Sequence, residues 1–205
     1  MKTVIIKYNA GNVQSVKYAL ERLGIEPILS DEEEVIRSAD RVIFPGVGEA
    51  STAMGYLREK GLDQLLPTLT QPVLGVCLGL QLMCTHSEEN DTPCLGIFDV
   101  EVKRFRPDEA GQKVPHMGWN TISPAADADF PLLREIEIPA YVYFVHSYYA
   151  EMSSYTMAAC NYIVPFSAML HKDNFYAAQF HPEKSGLVGA QILKNFVELK
   201  QEELV

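Results

Sequence analysis

Four short apolar runs lie in the first 77 residues, separated by stretches with helical spacing, and this alternation constrains the fold more than any other feature. The runs are residues 4–8, 26–29, 41–44 and 72–76. Between the first two, Val13, Val16, Ala19, Leu20 and Leu23 recur at helical intervals, and Gly24 stands where a C-terminal cap belongs. Residues 31–39 read as a short acidic helix, residues 51–60 as a helix stopped by Gly61, and another helix starts near Leu80. Strand, helix, strand in series predicts a parallel sheet covered on both faces, because each crossover must pack back onto it. Residues 97–123 look more like β structure, residues 141–150 and 155–160 suggest a strand pair, residues 175–180 a late strand, and residues 187–199 a closing amphipathic helix. The expected fold class is therefore α/β, a mostly parallel central sheet with helices on both faces plus a smaller β-rich portion. With no repeat or Pro/Ser linker, residues 1–205 are expected to form one domain, with exposed loops at 108–112 and 125–129.

Charge narrows the partners. The net charge of -10 repels phosphate backbones and supplies no polybasic anchor, so neither nucleic acid nor a membrane surface is expected as a partner. The N-terminal apolar run is too short for a signal peptide, and no segment approaches the ~18 apolar residues of a membrane span. Four cysteines in 205 residues are too few for a disulfide framework. A reducing cytoplasmic setting is expected, so each cysteine is either filler or a nucleophile.

Gly75-Val76-Cys77-Leu78-Gly79 follows an apolar strand and precedes a helix, the pattern of a nucleophile elbow with cysteine in place of serine. The flanking glycines allow a turn too sharp for side chains, and the nucleophile is left at a helix N-terminus. There the backbone N–H groups and the dipole favour thiolate, and the Leu78 N–H is placed to donate to an oxyanion. The late strand ends in Gln179-Phe180-His181-Pro182-Glu183. Residues i and i+2 of an extended chain share a side, so His181 and Glu183 can face the same site. His181 is the candidate base and Glu183 the group that orients it. Cys84, Cys94 and Cys160 read as small apolar filler, and the spacing around Cys84 and His86 fits no zinc pattern. His116, His146 and His171 read as structural residues or as supports behind the residues that touch substrate, rather than as ligands.

The cysteine elbow and the Phe180-His181-Pro182-Glu183 segment together resemble the nucleophile and base motifs of class I glutamine amidotransferases. Asn9-Ala10-Gly11-Asn12, Phe44-Pro45-Gly46-Val47-Gly48, Pro115-His116-Met117-Gly118-Trp119-Asn120 and Tyr143-Phe144-Val145-His146-Ser147-Tyr148-Tyr149 narrow the resemblance. They are similar to the glutaminase subunits of imidazole glycerol phosphate synthases, from Tyr8 to the closing helix. That resemblance implies hydrolysis of glutamine through a thioester on Cys77, with no cofactor and no metal. It also implies delivery of ammonia to a cyclase subunit, a (β/α)8 barrel, in a heterodimer of the histidine pathway. A barrel alone takes about 250 residues, so the cyclase belongs to another chain.

The same resemblance assigns Gly46, Val47 and Gly48 to the oxyanion loop beside Leu78, and Gln81, Ser147 and Tyr148 to substrate contacts, with Glu89 a further candidate. Asn12, Trp119 and Lys184 are implied at the partner interface. The family has glycine where Asn9 stands, a residue type that tolerates left-handed geometry. Two other readings remain at this level: a glutaminase subunit of a different amidotransferase, or an inactive binding protein on the same fold.

Overall fold

The computed structural model describes residues 1–8, 13–108, 112–125 and 130–200 of the chain. Asn9 and Asn12 fall outside these residues, as do parts of both expected loops.

The expected parallel half of the sheet is built from β1 (Thr3–Ile6), β2 (Ile28–Ser30), β3 (Arg41–Gly46) and β4 (Val73–Cys77). The helices between them are α1 (Val13–Arg22), α2 (Glu33–Arg37), α3 (Ala50–Glu59) and α4 (Leu62–Leu65). After β4 come α5 (Leu78–Met83), then β5 (His86–Ser87), β6 (Thr92–Pro93), β7 (Glu101–Arg104) and β8 (His116–Pro124). The chain closes with β9 (Ala140–His146), β10 (Tyr148–Ala150), β11 (Thr156–Tyr162), β12 (Val164–Lys172), β13 (Phe175–Ala178) and α6 (Gly186–Val197). The large sheet has the order β2-β1-β3-β4-β13-β12-β11-β8-β9, and β10-β7-β5-β6 form a smaller one. Pairing is parallel from β2 through β13 and antiparallel from β13 to β9.

Alternation along the strands divides the core in two. Val4, Ile6, Val42 and Phe44 face one cluster, which α2, α3 and α4 cover with Ile36, Met54, Leu57 and Leu65. Ile5, Ile43, Leu74 and Val76 face the other, which α1 and α6 cover with Val16, Leu20, Ile192 and Phe196. Buried on both faces, β1, β3 and β4 read as continuous apolar runs because neither face reaches water.

Several boundaries differ from expectation. The second strand starts at Ile28 rather than at residue 26, after Pro27, and the acidic helix shrinks to Glu33–Arg37. The segments at 141–150 and 155–160 do not pair with each other. The first splits into β9, paired with β8, and β10, paired with β7, whereas β11 pairs with β12 and β8. Ile97, Phe98 and Val100 are buried without joining a strand. The Phe98 N–H donates instead to the Met83 carbonyl, so burial alone produced their alternating pattern. Among the described residues no helix is long and apolar enough to cross a membrane.

Candidate active site

Cys77 ends β4 and caps α5 with φ 55° and ψ -108°, a conformation that a side-chain-bearing residue holds only under strain. The neighbours explain how the turn closes. A Cβ on Gly79 would lie 1.9 Å from the Phe44 carbonyl oxygen, and one on Gly75 would lie 2.5 Å from Met83 Sδ and 3.0 Å from Gly79 C. Both glycines are therefore required for close backbone approach. Gly79→Ala is expected to cost about 1–3 kcal/mol through overpacking, seen as a lowered Tm in thermal unfolding.

Register then assembles the site at the carboxyl ends of the parallel strands, the usual place for it in an open α/β sheet. Gly46 stands opposite Cys77 across β3 and β4, which carries the Gly46-Val47-Gly48 loop to the elbow. On the other side Ala178 stands opposite Val76, so the chain leaving β13 brings Gln179 and His181 past Cys77. The His181 backbone is pinned to β9, its N–H donating to the Tyr143 carbonyl at 2.9 Å. Ser185 Oγ donates to the His181 carbonyl at 2.7 Å and accepts the Tyr143 N–H at 3.0 Å.

His181 Nδ1 lies 2.7 Å from Glu183 Oε1, and both side chains are about 1% exposed. With Nδ1 committed to Glu183, Nε2 is the nitrogen left for Cys77. Burial disfavours the imidazolium, but hydrogen bonds with Cys77 and Glu183 outweigh it and raise the His181 pKa to about 10. The side chain is therefore a stronger proton acceptor than free imidazole. The thiol has weaker contacts as well: Gln179 Nε2 donates to Cys77 Sγ at 3.8 Å, and Sγ lies 3.9 Å from the Val145 carbonyl.

A cavity of about 340 Å³ opens over Cys77, lined by Val47, Gly48, Leu78, Gln81, Glu89, Val145, His146, Ser147 and Tyr148 among others. The structure thus brings together every residue expected at the oxyanion loop and the substrate contacts except Gly46. Gly46 packs behind the loop, where a Cβ would meet the Tyr8 hydroxyl at 2.2 Å. Gly48 has φ +113°, a conformation open to glycine and costly for other residues. Leu78 begins α5, so its N–H belongs to the first turn and has no intrahelical partner. Gln81 is buried and its amide donates to the Tyr148 carbonyl at 3.0 Å and to Gln179 Oε1 at 3.1 Å. Glu89 Oε2 accepts the Ala50 N–H at 2.7 Å, which fixes the start of α3 against the cleft. Burial pushes the Glu89 carboxyl upward, the Ala50 bond pulls it down, and nearby Glu49 pushes it up again, for a net rise.

The expected interface residues lie apart from the thiol. Trp119 on β8 is 56% exposed and packs edge-on against Tyr143, and Lys184 is exposed on the segment after His181. Three groups in or beside the site were given no role there by the sequence. Tyr8 is buried with its hydroxyl 2.5 Å from the Pro45 carbonyl, and burial first, then the charge of Cys77, push its phenol far above the ordinary range. His146 lines the cleft. Gln179 follows the end of β13, where the chain bends toward His181.

The model of the glutamine amidotransferase class-I family matches residues 4–199. An imidazole glycerol phosphate synthase subunit HisH of Bacteroides fragilis is 59% identical over 97% of this chain and 100% of its own length. The chain belongs to the HisH family of class I glutamine amidotransferases. HisH of Escherichia coli K12 is 47% identical over 97% of the chain and 100% of its own length. Among solved structures, a glutamine amidotransferase superposes with TM-score 0.72 at 19% identity, covering 95% of this chain and 97% of that one. A glutamine amidotransferase of Thermotoga maritima gives 0.62 at 17%, covering 100% and 84%. At such identity these two structures speak for the fold, whereas the HisH matches narrow the family.

Proposed function

We propose that the chain hydrolyses glutamine to glutamate and ammonia through Cys77, His181 and Glu183, and hands the ammonia to a cyclase subunit. That partner is a (β/α)8 barrel making imidazole glycerol phosphate and an aminoimidazole carboxamide ribonucleotide in histidine biosynthesis. The observation that carries this reading is the strained cysteine at the elbow together with a histidine whose Nδ1 meets a buried carboxylate at 2.7 Å and whose pKa Cys77 and Glu183 both raise.

The steps follow from the geometry. His181 takes the thiol proton, and Sγ attacks the carboxamide carbon of glutamine. The new C–S bond pushes the carbonyl electron pair onto oxygen, where the Leu78 N–H and an N–H of the Val47–Gly48 loop stabilise it. His181 returns its proton to nitrogen, the C–N bond breaks, and ammonia leaves the thioester. Water then attacks the thioester with His181 as base, glutamate departs, and the thiol is restored. Gln81, Glu89, Ser147 and Tyr148 form the walls that would hold the α-amino and carboxylate end of the substrate.

The partner reading is supported by the apolar surface around Trp119. Met117 is 66% exposed, Tyr141 62% and Leu187 90%. Aromatic residues on such a surface fit a protein interface. Glutaminase turnover of the chain alone, with the cyclase, and with cyclase plus nucleotide tests the coupling. Turnover is expected to rise at each addition, and equal rates in all three would leave a constitutive glutaminase. Trp119→Ala is expected to weaken binding to the cyclase by about 2 kcal/mol, or roughly 30-fold in Kd by titration calorimetry. Basal turnover of the isolated chain should not change.

A further inference from the structure

A chain of hydrogen bonds runs from β8 to the cleft, buried at its His116–His146 link. Asn120 Oδ1 accepts the Thr121 N–H at 2.8 Å, which turns Nδ2 toward the Asn161 carbonyl at 3.2 Å and His116 Nε2 at 3.3 Å. His116 Nδ1 lies 3.0 Å from His146 Nε2, and His146 Nδ1 lies 2.7 Å from the Tyr148 carbonyl. A carbonyl only accepts, so His146 must carry its proton on Nδ1. Its Nε2 is then the acceptor, so His116 must also carry its proton on Nδ1 and offers Nε2 to Asn120. One consistent direction runs through four groups, and both imidazoles adopt the tautomer that free histidine disfavours in water.

The surroundings hold the rings in that arrangement. His116 is stacked between Tyr162, at 4.0 Å and 14°, and Phe144, at 4.7 Å and 24°. Burial pushes His116 down to about 4 and is the leading cause that takes His146 to about 3, so both are neutral near pH 7. A buried polar pair persists only when each member is satisfied, and here the loss of either ring leaves the facing nitrogen of the other unpartnered.

The chain ends at a junction. The Tyr148 carbonyl accepts from His146 and also from Gln81, and Gln81 donates as well to Gln179, whose amide donates to Cys77 Sγ. Gln81 belongs to the helix that begins after the nucleophile, Tyr148 to the cleft wall, and Gln179 to the segment leading to the base. We propose that His116 and His146 are positioning residues for glutamine hydrolysis. Through the Tyr148 carbonyl they hold Gln81 and Gln179, and with them the cleft wall and the thiol, in the reactive arrangement. This rests on the glutaminase reading above.

The test uses the full chain in complex with the cyclase. His146→Leu and His116→Leu remove the hydrogen bonds, and each is expected to lower kcat by about 10²-fold, with a smaller change in KM. His146→Asn places an amide N–H where Nδ1 stood and is expected to recover most of that loss. Imidazole nitrogen NMR of the wild-type complex is expected to show protonated Nδ1 and unprotonated Nε2 for both residues, a readout that needs neither variant to fold. Nε2-protonated rings overturn the inference. So do folded Leu variants with wild-type turnover, or an Asn variant no better than Leu. A wild-type complex with no glutamine turnover overturns the glutaminase reading and this inference together, whereas wild-type turnover with unaltered Leu variants overturns this inference alone.

Discussion

Cys77→Ala is expected to lower the kcat for glutamine hydrolysis by on the order of 10⁶-fold, the loss that follows when the nucleophile of a cooperating catalytic group is removed. Alanine keeps the Cβ, so the strained φ of 55° persists and the fold is left as it was. The sulfur's bonds to Gln179 and the Val145 carbonyl are long, at 3.8 and 3.9 Å, so their removal costs little. Cys77→Gly should be equally inactive. It relieves about 1–3 kcal/mol of backbone strain and gives back roughly 0.5–1 kcal/mol in chain entropy, so it should unfold no lower than Cys77→Ala. Adding His181→Ala to Cys77→Ala should cost almost nothing more, because the two act as a unit. Cys84, Cys94 and Cys160 serve as controls. Cys84 and Cys160 are buried, and burial pushes the Cys94 and Cys160 thiols up to about 12, where they make poor nucleophiles. Their alanine variants should keep turnover, and near-normal turnover in Cys77→Ala would reject the elbow as the site of attack.

Glu183→Gln is expected to lower kcat by about 10⁴-fold while leaving the backbone in place, because an amide can present its N–H to His181 and enforce the wrong tautomer. The same variant carries a pH signature. The folded His181 pKa of about 10 lies above the free value of 6.5, so its partners stabilise the folded protein fully below about pH 6.5. That contribution disappears as the pH rises toward 10. The stability advantage of wild type over Glu183→Gln in denaturant unfolding should therefore be largest near pH 6 and should shrink on the alkaline side. An advantage that grows with pH would contradict the His181–Glu183 pairing.

Much of this was legible along the chain. Buried parallel strands leave unbroken apolar runs, so β1, β3 and β4 could be seen, and an elbow leaves glycines at fixed offsets from its nucleophile. His181 and Glu183 do meet, at 2.7 Å, but the expected extended i, i+2 geometry is not what joins them: the strand ends at Ala178 and Pro182–Lys184 form a 3₁₀ turn that folds the carboxylate back onto the imidazole. Trp119 and Lys184 stood out through the family resemblance, and both are exposed.

Tertiary structure alone decided the rest. Strand partners in the antiparallel half depend on which neighbour covers each edge, and residues 141–150 and 155–160 carry no mark of that choice. Phe98 and Val100 show that burial can imitate a strand without a ladder. Tyr8 and His146 look ordinary in sequence because their importance lies in partners 37 and 30 positions away, at Pro45 and His116. Local sequence thus determined the helix–strand rhythm and the residue types at the elbow and the end of the late strand, through effects that act over a few residues. The register of β3, β4 and β13, which sets Gly46 beside Cys77 and Ala178 beside Val76, came from packing between segments distant in the chain, and that register is what turns separate motifs into one cleft.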